Sequence, residues 1–171
     1  MEPKETKRRK RVSLKEGDVF EFTVADGRLG YGVIVLGGMV PYVVILKNLW
    51  QSRPLLSELA EDEIALVGTT MDALVYHGRW VVVYSGFPIP TDVPFPNWRV
   101  QIDGVERTTD FEGERYWAMR PEEVGLLDYK FSRSPIAYQD ALEAIHGLGE
   151  WREDYEKITP AYARQRITRI G

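Results

Sequence analysis

Apolar and polar positions over residues 19–46 fall in a strand-like order. Val19-Phe20-Glu21-Phe22-Thr23-Val24 alternates, which puts Phe20, Phe22 and Val24 on one side. Asp26-Gly27 supplies a turn, because Gly tolerates positive φ and Asp tolerates left-handed conformations. Gly30-Tyr31-Gly32 then leads into Val33-Ile34-Val35-Leu36, and Tyr42-Val43-Val44-Ile45-Leu46 follows Gly37-Gly38. These last runs are almost wholly apolar, the pattern of strands covered on both faces. Gly17–Leu46 thus predicts the opening hairpin of a β-rich domain.

Downstream the pattern keeps changing period. Leu49–Leu59 is a connection in which Pro54 and Ser57 open a short helix containing Leu59, while Trp50 sits in a polar context. Ile64–Gly68 predicts a buried strand, Met71–Tyr76 fits a helical turn or a strand, and His77-Gly78 a turn. Trp80–Tyr84 is the clearest strand, rich in β-branched and aromatic residues. Pro88, Pro90, Pro94 and Pro96 then remove donors and fix φ, so Phe87–Pro96 predicts an extended crossing outside any ladder. Trp98–Ile102 alternates and ends in the turn Asp103-Gly104; Asp110–Glu114 is an acidic loop, and Tyr116–Met119 a last short strand.

From Pro121 the period moves toward 3.6, with a short helix to about Leu127. The best helix has Ser134 as N-cap, Pro135 in its first turn, Gly147 past its end, and an apolar stripe of Ile136, Ala141, Ala144, Ile145 and Leu148. Trp151, Tyr155 and Ile158 continue at helical spacing. Thr159-Pro160 opens a final turn whose Arg164, Arg166 and Arg169 suit a helix C-terminus. The expectation is a flexible basic arm over 1–16 and one α+β domain over 17–171. Its sheet is strongly bent and antiparallel, or a partly closed small barrel, with C-terminal helices packed against it.

Composition refines this picture. The 171 residues, 44% hydrophobic and 12% aromatic, can bury a real core. With no cysteine, disulfides, thiolate metal sites and a cysteine nucleophile are excluded, which fits a reducing, cytoplasmic setting. No apolar run approaches the roughly 20 residues that span a bilayer, and none follows the basic start as in a signal peptide, so no membrane partner is expected. The net charge of −4 is unevenly placed. Residues 1–16 hold seven basic and three acidic residues, a balance of +4 that leaves −8 on the rest. An acidic body argues against a nucleic-acid-binding surface.

Candidate chemistry is sparse. Gly27-x-x-Gly30-x-Gly32 has the wrong order of spacings for a dinucleotide loop and leads into a strand, so it reads as hairpin and bulge glycine. His77 and His146 stand apart without clustered ligands, so no metal or other cofactor is expected. Ser85-Gly86 lacks a nucleophile-elbow pattern, and no carboxylate pair has an apolar neighbourhood. These observations disfavour an enzyme. Trp80, Trp98 and Trp117 belong in strands, whereas Trp50 and Trp151 are candidate interface anchors.

Gly17-Asp18-Val19-Phe20, the Asp26–Val33 segment and Gly78-Arg79-Trp80 ahead of a β-branched strand resemble the immunity protein 26 family of bacterial polymorphic-toxin systems. The proline-rich crossing and helical tail are also similar, over roughly residues 14–145. The chain departs from the family pattern where Tyr84-Ser85 precede Gly86. The resemblance implies a cytoplasmic bacterial protein that binds and neutralises a cognate toxin stoichiometrically, with no catalytic residues. An acidic body would suit a basic, nuclease-type cleft. The candidate contact surface is Glu58, Glu61, Asp62 and Glu63, with Asp110, Glu112 and Glu114. The alternatives are a nucleic-acid-associated small barrel using Lys7–Arg11, and a hydrolase or ligand-binding barrel with a pocket beside His77.

Overall fold

The computed structural model describes residues 13–170, so most of the basic arm, including Lys7–Arg11, lies outside them. Packing is already under way at Leu14, which is buried and accepts a hydrogen bond from the Gly38 N–H at 3.3 Å.

The first apolar runs become strands β1 (Val19–Thr23), β2 (Leu29–Leu36) and β3 (Tyr42–Leu46). With β4 (Ile64–Thr69) and β5 (Val81–Tyr84) they form a five-stranded antiparallel sheet in the order β4-β3-β2-β1-β5. Register shifts at Val19/Phe20, Ile34/Leu36 and Ile45/Leu46 insert extra residues and increase the local twist. The sheet is strongly curled and stays open, a partly closed small barrel. The Trp80–Tyr84 run forms β5 at the edge, with Trp80 itself buried just before it.

Gly30 and Gly32 are not bulge glycines. They pair in register with Phe22 and Phe20 on β1, and an added Cβ would come within 2.5 Å and 2.2 Å of those rings. Each ring lies across the glycine opposite. Trp80 stacks on Phe20 at 4.4 Å between centroids, so this face of the sheet is plugged by its own aromatics.

Both faces are covered, as the continuous apolar runs of β2 and β3 require. Phe20, Phe22, Ile34, Val43, Ile45 and Leu66 pack under α3 (Pro135–Ile145). The 3-10 segment Glu153–Ile158 and the short turn α2 (Ala73–Tyr76) help to close this side, α2 settling the Met71–Tyr76 ambiguity as helix. Tyr31, Val33, Val35, Val44 and Leu46 face the other way. They meet Leu59 of α1 (Leu56–Ala60), Phe87 and Val93 of the crossing, Trp98, Phe111, and Ala163 of α4 (Pro160–Gln165).

A second antiparallel sheet joins β6 (Trp98–Ile102), β7 (Val105–Thr109) and β8 (Tyr116–Ala118). Strand β7 has no clear alternation in sequence. It is fixed by the Asp103-Gly104 turn, where both residues have positive φ, and by Thr108, whose buried hydroxyl donates to Glu123.

Three expectations about the tail need correction. The helix after Arg120 is a single 3-10 turn, Pro121–Glu123. The buried residues of α3 are Pro135, Tyr138, Gln139, Ala141 and Leu142; of the expected stripe Ala141 is among them, Ile136 and Leu148 pack at the core's margin and Ile145 is exposed, while the Tyr138 hydroxyl reaches the Thr69 carbonyl at 2.9 Å. Of the three arginines only Arg164 lies in the last turn of α4. Arg166 stacks on Tyr162, and Arg169 lies beyond the helix in an ion pair with fully buried Glu123 at 2.9 Å.

Candidate functional site

The crossing Phe87–Asn97 is the element around which the acidic residues are arranged. Its ends are pinned by Phe87 N–H donating to Gly17 O and Asn97 N–H to Arg166 O, both at 2.9 Å. The Tyr42 hydroxyl holds its middle at the Pro94 carbonyl, 2.5 Å away. Phe87 and Val93 point into the core, while Phe95, flanked by two prolines, remains 40% exposed. With four prolines in this stretch, few amide donors are available and the chain cannot join either sheet.

Each half of the crossing lines a cleft. The first, about 280 Å³, is bounded by Leu59, Ala60 and Asp62 of the α1–β4 corner and by Phe87–Asp92 of the crossing. The second, about 330 Å³, is bounded by Leu36, Phe95, Asn97, Asp110, Phe111, Glu112 and Arg169. Of the acids expected at the contact surface, Asp62 thus belongs to one cleft and Asp110 and Glu112 to the other. The ring of Phe95 packs edge-on against Phe111 at 5.2 Å and lies tilted against Tyr42 at 5.5 Å. Met39 and Val40, exposed in the β2–β3 turn, follow Leu36 along the chain.

The acids differ in how much they have to offer. Glu58 accepts from the Leu55 N–H at 2.6 Å and serves the start of α1. Glu61 is exposed. Glu63 pairs with Lys47 at 2.8 Å, which holds its carboxyl below the usual range. Asp62 is half-buried and accepts from the Asn48 N–H at 3.1 Å; burial pushes its carboxyl up, against the pull of backbone amides. Asp110 accepts three backbone N–H groups, from Gly113, Glu114 and Arg115 at 2.8–3.2 Å. Burial there works against the charge, but the amides outweigh it and keep the carboxyl low. Glu112 and Glu114 are exposed beside it.

The two tryptophans proposed as anchors part company. Trp50 is half-buried, exchanges backbone hydrogen bonds with Leu29 at 2.8 and 2.9 Å, and packs on the core. Trp151 is 43% exposed and meets Tyr155 edge-on. The sequence reading missed Phe95, Asp92, Met39 and Val40. An aromatic between two prolines was the available signal for Phe95, since it cannot be a ladder residue.

Glu123 departs from the solvated acidic face expected of the carboxylates. It is fully buried, and burial opposes its charge. The Arg169 guanidinium, the Arg120 N–H and the Thr168 and Thr108 hydroxyls prevail and bring its carboxyl to about 2. With Asn97, whose side-chain oxygen accepts from the Thr168 and Arg169 N–H groups, it fastens the tail beside the second cleft.

His77 caps α2 and lines neither cleft. The His146 ring lies 2.6 Å from the Lys47 carbonyl and ties the end of α3 to β3. Among the described residues no three His, Asp or Glu side chains converge as metal ligands, and no helix is long and apolar enough to cross a membrane. Compared with known protein families, curated proteins and solved structures, the chain matches none.

Proposed function

We propose that this protein binds a basic partner protein through the face lined by the Phe87–Asn97 crossing, and that the partner is a cognate toxin which it neutralises by occlusion. The observation that carries this reading is one arrangement. Two acid-bearing clefts are lined by successive parts of one pinned strap, and exposed Phe95 lines one of them. Such a face combines an aromatic anchor with a charged rim, the composition of a binding hot spot. Its negative charge would speed encounter with a positively charged active-site cleft and hold it in register. The resemblance of the Gly17–Phe20, Asp26–Val33 and Gly78–Trp80 segments to immunity proteins suggests a toxin as the specific partner, and with it a cytoplasmic site of action.

The test is co-expression with the product of the adjacent reading frame, expected to arrest growth when expressed alone. Cells carrying both are expected to grow, and the two proteins to co-purify in equal amounts. Growth arrest with no complex would overturn the reading.

A further inference from the structure

The two clefts are not equivalent. In the second, Asp110 is already engaged by three amides, Arg169 is paired with Glu123, and Lys130 sits 4.8 Å from the Phe111 ring. Most of its charge is matched from within the chain. In the first cleft Asp92 has Arg164, whereas Asp62 accepts from the Asn48 N–H and makes no ion pair among the described residues. Its half-buried carboxylate stands over an apolar floor of Leu59, Phe87 and Ile89. Pro88 and Pro90, which have no N–H donors, belong to the same wall as Asp92.

The lining of this cleft holds two carboxylates, Asp62 and Asp92, and no lysine or arginine. We propose that it seats one lysine or arginine side chain of a partner protein, the apolar stem along the floor and the cationic head on Asp62. Both side chains have donor-only heads and long aliphatic stems, which matches the wall and the floor together. A neutral apolar side chain would bury the Asp62 charge further without bringing a cation to it, at a cost. The volume, about 280 Å³, lies at the small end of ligand pockets, roughly 300–1,000 Å³. That suits a single side chain. The inference rests on the partner-binding reading of this face and narrows it to one anchor.

The test uses the full chain and three small probes: the N-acetyl methylamides of lysine, arginine and norleucine, titrated while amide NMR spectra are recorded. The expected result is saturable shifts confined to residues 58–63 and 87–92 for one or both cationic probes. Norleucine is expected to bind at least about tenfold more weakly, a difference of about 1.4 kcal/mol. Asp62→Asn is expected to lose the cationic preference and Glu150→Gln to keep it; comparison of the lysine and arginine arms identifies the preferred head. Shifts scattered over the acidic surface, or unchanged in Asp62→Asn, would overturn the proposal. So would movement of the same resonances on deleting residues 1–12, which would make the chain's own Lys7–Arg11 the occupant. No toxin enters this titration, so its failure is separable from failure of the co-expression test.

Discussion

A methyl group on Gly32 would lie 2.2 Å from the Phe20 ring, closer than any packed carbon can come. Phe20 is itself held against Trp80, so the ring has little room to retreat. Gly32→Ala is therefore expected to cost about 1–3 kcal/mol or more through overpacking, measured as a lowered midpoint of urea unfolding. Glu123 presents the opposite problem, a charge that must stay. Glu123→Gln leaves Arg169 uncompensated and is expected to cost about 3–5 kcal/mol. Its pH dependence has a fixed sign. The folded pKa, about 2, lies below the ordinary 4.5, so the stabilisation is complete above about pH 4.5 and is lost as pH falls toward 2. Acid titration of unfolding should show this loss in the native protein and not in Glu123→Gln. Neither residue was legible as special. An acid after Pro121 reads as helix-end chemistry, and its burial depends on Thr108, Thr168 and Arg169 arriving from distant parts of the chain.

At the level of elements, the crossing has two sides with separable roles. Phe87→Ala removes a core ring and is expected to destabilise by about 3–5 kcal/mol. Phe95→Ala, at an exposed position, should shift stability by no more than about 0.5 kcal/mol, yet weaken the complex by about 2 kcal/mol or more if Phe95 is an anchor. Denaturation and calorimetric titration on the same samples distinguish the two effects. The proline run made the extended form of this segment readable, because it depends only on local φ and missing donors. Which rings turn inward depends on the surface beneath, and that is tertiary information. The same limit explains α3: caps and length could be read from Ser134, Pro135 and Gly147, but the buried face includes Tyr138, whose hydroxyl finds a carbonyl on β4. Strand β7 was missed because its inward Thr108 serves a polar cluster, which leaves no apolar alternation.

At the scale of the molecule, the central hairpin was the most legible part. Continuous apolar runs in β2 and β3 demand cover on both faces, and the chain provides it with helices on one side and the crossing with a second sheet on the other. The candidate face was half legible. Its acids stood out as charge, but the clefts that distinguish Asp62 from Glu63, or Asp110 and Glu112 from Glu114, arise only when α1 and the β7–β8 loop are set beside the crossing. Long-range attraction between an acidic body and a basic toxin should make association fast at low salt. Raising ionic strength is expected to slow the association rate about tenfold or more, with little change in dissociation, as read by stopped-flow mixing.

Hydrogen exchange of the protein alone and bound to the proposed toxin partner tests the account most directly. Protection gained at residues 58–63, 87–97 and 110–114, and little changed elsewhere, is the predicted result. Protection centred on α3 or the β5 edge, with the crossing exchanging as in the free protein, would contradict it.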